Sequence, residues 1–189
     1  NAIADAFMYI KAGKADIISF LGNSGASNVL SALYPSLLDK NAAVKVAAIG
    51  AVAKLGGENS IAKLLPLLKT GDTKVVGAVS SALLSMKGSS VVDKIAAGIP
   101  ALPDAAKAAL VNVLASRGAS SQLGVVSSLL GSKNAAVQTA AFSALKNMTS
   151  SNDLPQLFSL LNTTKDANNL KAVQEAVKSV VQTGGTAQS

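Results

Sequence analysis

The sequence predicts an all-α fold, an alpha-alpha superhelix (solenoid) of about five to six helix–turn–helix repeats with a period near 31 residues. Three observations carry that expectation. Lys40-Asn41-Ala42-Ala43-Val44 recurs letter for letter as Lys133-Asn134-Ala135-Ala136-Val137, 93 residues on, or three times 31. Apolar residues fall at helical spacing in register with that period. No stretch sustains the two-residue alternation of a strand, and Ala and Leu dominate. A period between about 20 and 50 residues marks stacked repeats, whose units bury their apolar faces against their neighbours.

Residues 1–26 predict one or two helices of irregular spacing, with Ile3, Phe7 and Ile10 on an apolar face. Five repeats follow, at 27–57, 58–88, 89–119, 120–150 and 151–183. The first helix of each is marked by Tyr34-Pro35-Ser36-Leu37-Leu38, by Leu64-Leu65-Pro66-Leu67-Leu68, by Ile95 to Ile99, by Val125-Val126-Ser127-Ser128-Leu129-Leu130 and by Leu154-Pro155-Gln156-Leu157-Phe158. Proline in these helices is expected to kink them or to occupy a first turn. The second helix carries an apolar stripe, in the first repeat Val44, Ala47, Ala48, Ala51, Val52 and Leu55, at i, i+3, i+4, i+7, i+8 and i+11. Asn41, Asp72, Asp104 and Asn134 are placed to cap these helices. Gly56-Gly57, Gly88-Ser89, Gly118-Ala119 and Thr149-Ser150 are placed to end them. The small, polar tail 184–189 is expected to be flexible.

These residues resemble the HEAT-repeat family, in particular the short HEAT-like units also found in phycobilisome lyases, within the armadillo-like class of solenoids. The family pattern has Leu-Pro-x-Leu in the first helix, Asp or Asn in the turn and Val-Arg-x-x-Ala-x-x-Ala-Leu in the second helix. Leu65-Pro66-Leu67-Leu68, Asp72, Val75, Ala78, Ala82 and Leu83 match it, and Pro35, Leu37, Asn41, Val44, Ala47, Ala51 and Val52 match it again. The likeness covers residues 27–181. The family's arginine is replaced by Lys45, Val76, Lys107 and Gln138. None of these makes the two-pronged bond of a guanidinium, so an Asp–Arg ladder along the turns is not expected. The resemblance implies a binding scaffold and leaves the activity open.

Composition narrows the chemistry. Hydrophobic residues are 49% of the 189 residues but aromatics only 3%, so the core is expected to be Ala, Val and Leu in closely packed helices, forming one solenoid rather than two domains. With no cysteine and no histidine, thiol chemistry, disulfides and imidazole bases or ligands are excluded. Gly13-Lys14 lacks the remainder of a phosphate loop. The ten carboxylates fall singly, mostly at helix starts. No catalytic, cofactor or metal site is expected, and the chain is not read as an enzyme. No apolar run is long enough to span a membrane, about 18 residues or more, and the compartment stays open.

The net charge of +7 comes from sixteen lysines and one arginine, Arg117, spread along the chain. Lys40, Lys69, Lys74 and Lys133 fall at the turns and predict a mild basic edge. With little arginine and few aromatics, that edge reads as a solvated rim more than a nucleic-acid site. Asn147-Met148-Thr149 and Asn162-Thr163-Thr164 fit the glycosylation pattern, a fit that arises readily by chance in this composition.

Opposite the core stripe, the second helices carry almost no charge: Val46, Ile49, Gly50 and Ala53, then Gly77, Ser80, Ser81 and Leu84, then Ala108, Val111, Asn112 and Ala115, then Thr139, Phe142, Ser143 and Lys146. Such a face is either a groove for a partner or packing between neighbouring helices. Ile49, Ser80, Leu84, Val111, Asn112, Phe142 and Lys146 are the candidate contacts, with Phe142 the expected exposed anchor. The leading expectation is a non-catalytic protein-interaction scaffold, a fragment of a larger protein, that binds another protein or another domain of its own chain. The alternative is a helical accessory domain of a multidomain enzyme, like the HEAT-like segments joined to hydrolase or haem domains in bacterial proteins. Third comes a weak binder of nucleic acid or another anionic polymer.

Overall fold

The computed structural model describes residues 13–185, and among these the secondary structure is helical, without a strand. The expected apolar face at Ile3, Phe7 and Ile10 lies outside the described residues, as do residues 186–189 of the tail. The chain divides into two compact units, Asn1–Gly98 and Ile99–Ser189. That boundary falls inside the third 31-residue stretch.

In the first unit, α1 (Lys14–Asn23) leads to a broken first helix made of Ser27–Val29, α2 (Leu30–Leu33) and the 3₁₀ turn Tyr34–Leu38. Then come α3 (Ala42–Gly56), the 3₁₀ turn Gly57–Ser60, α4 (Ile61–Leu64), the 3₁₀ turn Leu65–Thr70, α5 (Thr73–Ser85) and α6 (Val91–Gly98). Helix α3 packs between α1 and α5, while α4 packs against α6. The second unit runs through the 3₁₀ turn Ile99–Ala101, α7 (Asp104–Ser116), the 3₁₀ turn Ser120–Gln122, α8 (Leu123–Ser127), α9 (Ala135–Met148), the 3₁₀ turn Ser151–Asp153, α10 (Leu154–Thr163) and α11 (Ala167–Gly185). Here α9 packs between α7 and α11, and α10 lies against α11.

Proline position explains why some first helices break and one does not. Pro35 and Pro66 follow a single α-helical turn and open the 3₁₀ stretches that end those segments. A mid-helix proline removes one backbone donor and crowds the preceding turn. Pro155 stands in the first turn of α10, where the N–H is unused, and α10 runs unbroken to its full ten residues.

The corners are built from side-chain caps. Asn41 Oδ1 accepts the N–H groups of Ala43 at 2.9 Å and Val44 at 3.4 Å. Asp72 Oδ1 does the same for Lys74 and Val75, and Asn134 Oδ1 for Ala136 and Val137. Asp166, not anticipated, caps α11 through Asn168 and Asn169. Asp104 is a correction: Pro103 occupies the cap position without a side-chain acceptor, and Asp104 is the first helical residue. There its carboxylate faces the positive end of the helix and lies 3.9 Å from Lys107. Gly118 has φ 60 and closes α7, with Gly118 N–H donating to Ala115 O and Ala119 N–H to Leu114 O. The reversal needs a left-handed residue, which glycine supplies at low cost. At the other end of the chain α11 runs on through Gly185, past the expected end of the last repeat at 183.

The cores are mainly aliphatic, in line with the composition. In the first unit Ile18, Leu33, Val44, Ile49, Val52, Leu64, Val79, Leu83 and Ile95 are buried. In the second, Leu110, Leu114, Val137, Leu145, Leu157 and Val173 are. Small residues set the spacing: a Cβ added at Gly22 of α1 would lie 2.6 Å from both Cα and Cβ of Ala51 on α3. Gly22→Ala improves helix propensity, but overpacking against backbone costs about 1–3 kcal/mol and outweighs it. A urea titration should therefore show the variant less stable than the parent by about 1–2 kcal/mol, and an equal or higher midpoint would mean that α1 can shift away from α3.

Candidate interaction surface

An open groove of about 840 Å³ runs between the outward faces of α3 and α5 in the first unit. Val46, Gly50, Ala53, Lys54 and Gly57 line one side, and Thr73, Lys74, Gly77, Ala78, Ser81, Ala82, Ser85, Met86 and Lys87 the other. Its floor is low because Gly50 and Gly77 point at open space, where an added Cβ would meet nothing within 4 Å. Val46 is the large apolar side chain on its wall, 38% exposed. Its cations are Lys54, Lys74 and Lys87; no carboxylate lines it. Lys54 is steadied by a 2.6 Å bond to Asn23 Oδ1 on α1.

The expected contact residues divide. Ile49 and Val111 are fully buried, and Phe142 is 5% exposed, so none of them forms an open face. The reason is the layer: α3 and α9 each have a neighbour on both sides, and a three-residue step turns a side chain by about 60° around the axis. Ile49 is thereby carried from the open strip of Val46 and Gly50 into the packed flank. Phe142, the expected exposed anchor, instead packs in a cluster with Leu145, Leu157, Val173, Ala176 and Val180. Ser80 is half-buried, and its Oγ is enclosed without a hydrogen-bond partner. Leu84 is 45% exposed, and Asn112 and Lys146 are exposed, with Lys146 at 3.9 Å from Glu175. Among the described residues the large exposed aromatics are Phe20 and Phe158, at 71% and 51%. Neither stood out in the sequence, since both lie within apolar runs that read as core.

Lys40, Lys69, Lys74 and Lys133 are all exposed at or beside the turns. Of these, Lys74 lines the groove. Two acid–base contacts stiffen the first unit nearby. Asp39 accepts from Lys14 at 2.5 Å and from the Asn41 N–H at 2.9 Å, and the Lys14 bond, with the Asn41 bond behind it, holds its carboxyl below the ordinary value. Glu58 Oε2 accepts the Ser90 N–H at 3.2 Å, while Lys94 lies 3.9 Å from Oε1 and donates to the Glu58 carbonyl at 3.4 Å. The Ser90 N–H is the main reason its carboxyl is held below the ordinary value. Gly88, with φ 140, makes room for it: a Cβ there would lie 2.2 Å from Oε2. Only the glycine at the turn hinted at this contact in the sequence.

A second cleft, of about 460 Å³, lies in the second unit among Gln138, Phe142, Thr163, Lys165, Asp166 and Asn169. Asn169 donates to Gln138 Oε1 at 3.3 Å, and Gln138 Nε2 to Leu130 O at 2.9 Å. Gln138 and Asn169 are 31 residues apart, and their neutral amides link α9 to α11. Among the described residues no group of three or more His, Cys, Asp or Glu could hold a metal ion, and no helix is long and apolar enough to cross a membrane.

No protein family matches the chain, and no curated protein matches it. A similar solved structure is the crystal structure of an engineered protein, 16% identical, with 96% of this chain and 97% of that one covered at a TM-score of 0.47. At that score nothing about this chain follows from the likeness.

Two outcomes follow from the geometry. Phe142→Ala should cost roughly 3–5 kcal/mol in thermal or chemical denaturation, while Asn112→Ala and Lys146→Ala stay within about 0.5 kcal/mol; a harmless Phe142 variant would contradict its burial. Because Glu58 is held low, its contribution is present above the ordinary glutamate range, about 4.3, and is lost as pH falls through its folded value. Glu58→Gln should therefore flatten the loss of melting temperature on acidification below about pH 4.3, and an unchanged acid profile would remove Glu58 from the account.

Proposed function

We propose that this chain is a non-catalytic protein-interaction scaffold, built as an alpha solenoid of HEAT-like repeats with a period near 31 residues. The repeat reading is supported by helix starts at Ala42, Thr73, Asp104, Ala135 and Ala167, at intervals of 31, 31, 31 and 32 residues. It is also supported by side-chain caps in the same place ahead of four of those five helices. The partner reading rests on one observation, the open groove between α3 and α5 with its floor of glycine and alanine. A helix surface that only faces water normally carries alternating charge. Here the surface is small and weakly apolar, and its charges stand at the margins.

Cross-linking the chain in an extract of its native cell, at about 0.15 M and about 0.5 M salt, tests this reading. Protein adducts at the α3–α5 surface that persist at the higher salt are expected. Adducts to nucleic acid alone, vanishing with salt, would replace the scaffold by a charge-driven binder of anionic polymers, and no protein adduct anywhere on the chain would remove the scaffold reading.

A further inference from the structure

We infer that the α3–α5 groove is a receptor for one amphipathic helix of another protein, a helix of about four turns with a short apolar stripe and carboxylates towards both ends. This deepens the scaffold reading and rests on it. Charge selects the sign of the partner. Three lysines and no acid line the groove, with Lys74 near one end of α5 and Lys87 just past the other. The thirteen residues of α5 span about 20 Å of helix, the length of about thirteen residues in a docked helix at 1.5 Å each.

Backbone chemistry selects helix over extended chain. An extended segment laid in the groove would bury N–H and C=O groups that need partners. The walls are helices whose own backbone groups are paired, and Ser85 Oγ is already spent on Ser81 O and Ala82 O. A helix arrives with its backbone satisfied. The floor also suits a helix, because Gly50, Ala53, Gly77 and Ala78 present no long side chain. Close approach of helix axes, near the lower end of the usual 8–10 Å, needs small residues at the crossing. Val46, 38% exposed, then supplies the apolar contact for the visiting stripe.

Nucleic acid fits the same groove poorly. Its lining holds no arginine and no aromatic side chain, so it has neither a forked phosphate contact nor a stacking platform. Two other clefts are quieter. Glu58 and Lys94 neutralise each other at the edge of the cleft by α4 and α6, and the Gln138–Asn169 bond occupies the one in the second unit.

The test uses the whole chain and a labelled synthetic helix of about 14 residues made of leucine and glutamate, with leucine at i, i+3, i+4 and i+7. A lysine-for-glutamate version and a single-stranded oligonucleotide serve as comparison probes. Gly50→Gln and Gly77→Gln fill the floor without touching the fold, since each Cβ has open space and glutamine is the better helix former. Their melting temperatures should not fall. Fluorescence anisotropy should show the glutamate helix bound by the parent chain and weakened roughly tenfold or more by Gly77→Gln and by the triple change Lys54→Gln, Lys74→Gln and Lys87→Gln. The lysine helix should not bind. The groove assignment is overturned by no binding of the glutamate helix at about 1 mM, by equal affinity in Gly77→Gln, or by tighter binding of the oligonucleotide through the same lysines. Any of these leaves the scaffold reading standing, because that reading fails on a different result, the absence of protein cross-links.

Discussion

The contact between Gly22 and Ala51 sets the terms for the first unit. With a glycine on α1 and an alanine on α3, the two helices meet so closely that a single methyl has no room. A chain with 3% aromatics has few large side chains with which to fill wide gaps. It must gain its packing from many short contacts at close range, each worth about 0.1–0.2 kcal/mol and effective only while the gap stays closed. The spacing of the layer, the aliphatic core and the low relief of the outer surface all follow from that choice of small residues. Alanine and glycine that bring helices together on one flank leave a shallow floor where they face outward, as at Gly50 and Gly77.

Close packing needs its corners fixed, and polar groups do this. Asn41, Asp72, Asn134 and Asp166 each bind two of the first free N–H groups of the following helix. Glu58 supplies a longer-range version, reaching the start of α6 from the turn after α3. Its geometry depends on Gly88, whose backbone turns through a left-handed region and whose missing side chain leaves space for the carboxylate. The repeated pentapeptide belongs to this class of feature: Asn41 and Asn134 are caps, Val44 and Val137 are core, and Lys40 and Lys133 are exposed.

The helical class, the second helices and three of the four expected caps were legible because they rest on local rules: apolar spacing, short acceptors at helix starts and glycine at helix ends. Asp104 was misplaced by one residue because an acidic residue beside a proline satisfies the same local rule in either position. The broken first helices were half legible, since Pro35 and Pro66 announce a disruption without saying which side of it remains α-helical. The division between Gly98 and Ile99 left no signal in the repeat pattern. The open surface was the least legible. Seen alone, a helix has one apolar side and one outer side, and Ile49, Val111 and Phe142 fall on the outer one. In a layer α3 and α9 each have two further flanks, and those flanks take larger residues such as Ile49 and Phe142.

That difference between a helix and a layer also locates the open trough. Moving round α3 from Val52 through Ile49 to Val46, the side chains pass from core to flank to open strip. The column that varies most in size, Ile49, Ser80, Val111 and Phe142, fills spaces that differ from one helix to the next. The column beside it, Val46, Gly50 and Ala53 with Gly77 and Ser81, has nothing to fill and stays small. Uniform smallness beside a packed flank is what leaves a trough. Lysine at its ends, without a carboxylate along its walls, gives the trough a sign that the net charge of the chain could not assign to any place. A helix docked there as proposed would be selected by backbone approach and charge placement, and the large buried side chains would contribute only by holding the two walls apart.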